Sequence, residues 1–168
     1  IAATLAVHFE VGRETKRAVQ YHGQAAQVAL QRSALHEAMT HLEKGLALLA
    51  TLPDTPERAQ QELSLQLTLG AASLAVKGLG AVEVGHAFAR ARELNRQFED
   101  SPQNFPILIG LCVFYLSRAE LQTSFTLAQQ CLRLAEQTAD PGLLVAAHQS
   151  MGTNLETLGA LSPARDHY

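Results

Sequence analysis

The feature that most constrains this chain is the spacing of its small residues. Met151-Gly152, Leu155, Gly159, Ala164 and Tyr168 stand at successive offsets of 1, 3, 4, 5 and 4. Forty residues before Ala164 comes Ser124, and 37 before that comes Ala87, followed four positions on by Ala128 and Ala91 respectively. Such a period, set behind leucine-rich runs, calls for paired helices whose backbones approach closely where the side chains are tiny.

Composition agrees. Hydrophobic residues make up 47% of the 168, with only six Phe, three Tyr and no Trp. The bulk is Leu and Ala, which favour helix, and no stretch shows the strict alternation of a half-buried strand. The pattern predicts helices at about 1–11, 14–31, 34–52, 56–77, 82–99, 104–118, 121–138, 141–158 and from 162 onward. Three starts carry a capping side chain followed by proline: Thr55-Pro56, Asp140-Pro141 and Ser162-Pro163. The side-chain oxygen accepts an orphan N–H, and the fixed φ of proline suits the first helical turn. Pro106 is expected in the first turn of another helix, entered through Ser101-Pro102. The short breaks between helices make consecutive ones antiparallel neighbours. No linker divides the chain, so residues 1–168 read as one domain.

The spacing resembles that of a tetratricopeptide unit. The fold it implies is an all-α, right-handed solenoid of about eight or nine helices in antiparallel pairs. Ala38 to Ala87 spans 49 residues and Ala18 to Ala38 only 20, so the repeat is expected to be irregular towards the N-terminus. The chain starts at Ile1 and its last repeat stops at Tyr168, which reads as a piece of a longer polypeptide.

Charge and chemistry narrow the function. The net charge of −3, with both signs interspersed, argues against nucleic acid as the main partner. Arg90, Arg92 and Arg96 span more than one helix face and read as a solvated surface. The longest nearly uncharged apolar run, Ile107 to Leu116, is about half of what a membrane span needs. Cys112 and Cys131 fall on consecutive helices, where a disulfide is possible; both also occupy slots for small residues, which favours free thiols and a reducing, cytoplasmic setting.

No catalytic, cofactor or metal site emerges. His36 and His41 are five apart where a helical ligand pair prefers four, and His22, His86 and His148 sit on different helices. Carboxylates are scattered beside basic residues, and Ser and Cys lack a paired base. The reading is therefore non-enzymatic.

In tetratricopeptide stacks the first helix of each pair lines a concave groove. With Cys112 and Gly152 in the close-packing slot, the groove positions are Phe105, Ile109, Val113, Leu116, Gln149, Thr153 and Glu156. They are largely apolar or neutral, unlike the Lys, Arg and Asn cluster of tetratricopeptides that clamp a C-terminal carboxylate. Such a groove suits an amphipathic segment of a protein or peptide, or neighbouring parts of the same parent chain. A small-molecule sensor with its ligand inside the superhelix is the alternative.

Several runs are similar to large bacterial signalling proteins. These are the run from Arg32 through Ser33-Ala34-Leu35-His36 to Leu46, then Leu52-Pro53-Asp54-Thr55-Pro56-Glu57-Arg58, Glu62 to Gln66, Arg90 to Leu94, and Phe114 to Gln122. In that family an effector domain, often an adenylate/guanylate cyclase, precedes an AAA-type ATPase and a long tetratricopeptide-like tail. The resemblance implies that this segment is the start of the tail and serves interaction and regulation. No Gly-x-x-x-x-Gly-Lys-[Ser/Thr] loop occurs in it.

Overall fold

The structure, a computed structural model, describes residues 1–96 and 101–168. Among these every element is helical: α1 (Ala2–Val11), α2 (Thr15–Gln31), α3 (Leu35–Leu49), α4 (Pro56–Lys77), α5 (Val82–Leu94), a 3-10 turn at Pro102–Asn104, α6 (Phe105–Ser117), α7 (Leu121–Thr138), α8 (Pro141–Thr157) and α9 (Leu161–Arg165). The all-α helical-repeat class expected from the spacing is the class observed. The helices form two compact units, Ile1–Gly78 and Leu79–Tyr168.

Helix boundaries follow local chemistry. Thr55 accepts a hydrogen bond from the Arg58 N–H, and Asp140 Oδ1 accepts from both Gly142 and Leu143. Ser101 caps the 3-10 turn, and Pro106 lies in the first turn of α6. The third expected cap is a correction. α9 begins at Leu161 with Ala160 as N-cap and no side-chain cap, so Ser162 is already helical. Pro163 still falls in the first turn, where a missing N–H costs no intrahelical bond. α3 stops at Leu49 rather than 52, because Thr51 and Leu52 donate to carbonyls three residues back and tighten the chain into a turn. α5 stops at Leu94, and residues 97–99 of its expected span lie outside the described residues.

Four links share one turn. After α1, α2, α6 and α8 the residues Arg13, Ser33, Ala119 and Gly159 take positive φ, between 57° and 78°. The residue after each donates to the carbonyl five back: Glu14 to Phe9, Ala34 to Ala29, Glu120 to Tyr115 and Ala160 to Leu155. This is a Schellman closure, which satisfies orphan carbonyls and reverses the chain in two residues. A sharp reversal places each helix against its successor.

In the first unit, Val19, Ala26 and Ala29 of α2 pack on Ala38, Leu42 and Leu49 of α3 and Leu65 of α4. The Leu65 side chain faces Gly23 and Gly45, where an added Cβ would stand at ordinary contact distance from it. In the second unit, Phe88 of α5 packs over Gly110 of α6, and Phe114 of α6 packs over Gly85 of α5. That reciprocal order makes α5 and α6 antiparallel. Ile107, Leu108 and Leu111 of α6 and Leu127, Ala128 and Leu134 of α7 are buried in the same unit. No described helix is long and apolar enough to cross a membrane.

Candidate functional site

Cys112 organises the second unit. Its thiol is 1% exposed and lies 3.1 Å from Ser150 Oγ on α8 and 3.3 Å from Ser124 Oγ on α7. Ser124 Oγ in turn donates to the Cys112 carbonyl at 2.9 Å. Asn154 Nδ2 donates to the Ser150 carbonyl at 2.9 Å and reaches Cys112 Sγ at 3.4 Å. Its Oδ1 is buried with no hydrogen-bond partner. Leaving a buried carbonyl without a donor costs about 1–3 kcal/mol.

Above this polar floor runs a cleft of about 270 Å³ between α6 and α8. Ile109, Val113 and Leu116 form the α6 wall; Ala146, Gln149 and Thr153 form the α8 wall. Five of the seven expected groove positions therefore converge: Ile109, Val113, Leu116, Gln149 and Thr153. Two do not. Phe105 is buried in the core of its unit, and Glu156 lies off the cleft, where its Oε2 accepts from the Tyr168 hydroxyl at 3.2 Å. Phe105 sits in the first turn of α6, one turn below Ile109, on a buried side of the helix, while Pro106 beside it is exposed.

Sequence reasoning missed the floor. Ser150 and Asn154 are spaced by one helical turn beside Gly152, and that spacing was the available signal. No Lys or Arg lines the cleft.

Both cysteines are free and buried. Burial pushes the Cys131 thiol up to about 12, with the neighbouring Cys112 acting in the same direction. The basic stretch on α5 forms no stripe: Arg90 pairs with Glu93 at 3.0 Å, Arg92 reaches Gln130 at 3.5 Å, and Arg96 is exposed.

The histidines form pairs that helix-by-helix inspection did not anticipate. His22 Nδ1 lies 3.0 Å from His41 Nδ1, and His148 Nδ1 lies 2.9 Å from His167 Nδ1. Each pair is separated by 19 residues, and that recurrence is visible in the sequence once the repeat is used as a ruler. His22 is fully buried, with Nε2 3.5 Å from Glu10 Oε2. Burial holds its pKa below the usual histidine value; the Glu10 hydrogen bond pulls upward without prevailing, and His41 and Lys44 add to the lowering. Among the described residues no three His, Cys, Asp or Glu side chains converge as a metal cluster.

No family model matches the chain, and no curated protein matches it in sequence. Among solved structures, the crystal structure of BtubC (BKLC) from P. vanneervenii superposes with a TM-score of 0.57 over 99% of this chain and 82% of that one. The two are 13% identical, so the likeness is one of fold alone.

Proposed function

We propose that this chain is a non-enzymatic interaction module whose α6–α8 cleft receives an apolar segment of a protein, either a separate partner or another part of its own parent chain. The observation that carries the reading is the cleft itself: three partly exposed aliphatic side chains of α6 stand over a floor made by Cys112, Ser150 and Asn154. Covering such side chains is worth about 1.5–3 kcal/mol each for a full transfer from water, and a side chain already about two-thirds buried yields at most about a third of that. The volume, about 270 Å³, suits one or two side chains of a longer segment better than a whole ligand, since small-molecule pockets run from roughly 300 to 1,000 Å³.

The resemblance to tails of bacterial signalling proteins supports placing the module in the cytoplasm, where docking would bias the states of an upstream ATPase and effector domain. The energetic basis would be differential contact with two states of the parent.

A small-molecule sensor is the second reading, favoured by the convergence of Cys112, Ser150 and Asn154 on one floor. Site-specific photo-crosslinking separates the two. A photoreactive residue at Val113 in the full parent protein, in its own cells, is expected to give peptide adducts. These are lost in the Ile109→Asp, Leu116→Asp variant, provided its helical circular dichroism is unchanged. A probe at exposed Gln129 on α7 serves as control. Adducts equal at both probes, or none at Val113, overturn the proposal.

A further inference from the structure

The second unit holds another cavity, of about 200 Å³, that shares no lining residue with the α6–α8 cleft. One face of α7 supplies Gln130, Arg133 and Gln137, which recur at the three- and four-residue spacing of helical neighbours. From α5 comes Arg92, whose Nη2 donates to Gln130 Oε1 at 3.5 Å. Leu108 of α6 and Leu134 of α7, 2% and 4% exposed, give the cavity an apolar floor.

The charge of this lining is one-sided. Among its described residues two are arginines and none is Asp or Glu. Neither guanidinium pairs with a carboxylate of the described residues, whereas Arg90 on the same α5 pairs with Glu93 at 3.0 Å. Two like charges above an apolar floor repel each other more strongly than they would in open water, and an anion between them reverses that sign.

We propose that this cavity binds a phosphoryl group, either as inorganic phosphate or as the headgroup of a small phosphomonoester. Guanidinium forks match phosphate oxygens two at a time. Arg92 and Arg133 come from different helices, so their forks serve oxygens that are not coplanar, as in a tetrahedral group. Gln130 and Gln137 add amide donors for a third oxygen, which a carboxylate lacks. The volume is below the roughly 300–1,000 Å³ of whole-ligand pockets, so the cavity holds the headgroup and leaves the rest of an ester in solvent.

The test uses the unaltered protein in chloride-poor buffer at constant ionic strength. It is titrated separately with inorganic phosphate, glycerol 1-phosphate and succinate, and backbone amide shifts are followed by nuclear magnetic resonance. Saturable shifts are expected first at Arg92, Gln130, Arg133 and Gln137, with succinate binding more weakly than either phosphoryl probe. Saturation by phosphate but not by the ester assigns the cavity to the free anion, and saturation by both assigns it to an ester headgroup. Because a hydrogen bond to a charged group is worth about a factor of ten or more, Arg133→Gln should weaken binding at least about tenfold. Arg133 is exposed, so this change leaves the core intact. Arg92→Gln should do the same with unchanged helical circular dichroism. Arg165→Gln, exposed on α9, removes the same charge elsewhere and should leave the affinity unaltered. Shifts that never saturate, shifts centred on other residues, succinate binding as tight as phosphate, or an Arg165→Gln loss equal to that of Arg133→Gln would each overturn the site. The outcome is separate from that of the α6–α8 cleft.

Discussion

The ring of Phe88 occupies the space in which a side chain at Gly110 would begin, and Phe114 stands in the same relation to Gly85. Four residues thereby lock α5 to α6 through two aromatic plugs in two glycine sockets. Gly110→Ala must push the Phe88 ring, which is 4% exposed. Overpacking of this kind costs about 1–3 kcal/mol. Chemical denaturation should show that loss, and Phe88→Leu in the Gly110→Ala background should recover part of it. Strict additivity of the two substitutions would contradict the interlock. Gly152→Ala is the contrast: its Cβ would stand 2.8 Å from Tyr168 Cζ, but Tyr168 is 70% exposed and can swing away, so the cost should stay within about 1 kcal/mol.

The Schellman turns predict gains as well as losses. Ala119 holds φ at 59°, a left-handed conformation that costs a non-glycine residue about 1–2 kcal/mol. Ala119→Gly removes that strain but adds roughly 0.5–1 kcal/mol of unfolded-state freedom. The net expectation is a gain of up to about 1.5 kcal/mol, seen as a higher thermal midpoint. Gly159→Ala, at φ 78°, should lower the midpoint. If Ala119→Gly lowers it too, residue 119 is not left-handed in solution.

Much of this architecture was legible in the residues, and the misses have physical causes. Asp140-Pro141 and Thr55-Pro56 mark their helices because cap and proline act within one turn of chain. Ser162-Pro163 misled because the same dipeptide can sit one turn-position later, once a Schellman closure at Gly159 has already started the helix. Ile109, Val113 and Leu116 were readable from helical period. Phe105 was not, because the period gives a face and not how deeply a neighbour encloses its first turn. The histidine pairs escaped inspection because the 19-residue spacing brings side chains together only through an intervening turn, whose length depends on the left-handed residue at its centre.

The cysteines should be silent towards alkylating reagents in the folded protein. The thiolate is the reacting form, and raising Cys131 from 9.0 to about 12 leaves about a thousandfold less of it near neutral pH. Burial also denies access, since Cys131 is 0% exposed. Mass spectrometry after iodoacetamide should find neither thiol modified without denaturant and both modified above the unfolding midpoint. Rapid native labelling of Cys131 in a Cys112→Ser variant would show that the α6–α7 interface opens far more readily than its packing implies.

Acid should weaken the first unit through His22. Burial favours its neutral form, so the folded-state pKa lies below the unfolded value of about 6.5. Between those two values the unfolded chain holds a proton that the folded one refuses. Stability from this group is therefore complete above about pH 6.5 and is lost as pH falls towards the folded pKa, at no more than about 1.4 kcal/mol per pH unit. His22→Gln removes the titrating ring, so the stability difference between the natural protein and the variant should shrink on acidification and be constant at neutral pH and above. Glu10→Gln tests the opposing influence. Without the carboxylate 3.5 Å from Nε2, the folded pKa should fall further, and the loss should continue to lower pH. Denaturant midpoints measured across this range decide the matter: a difference between natural protein and His22→Gln that grows on acidification would mean that the buried ring gains its proton more easily folded than unfolded, and would reverse the sign argued here.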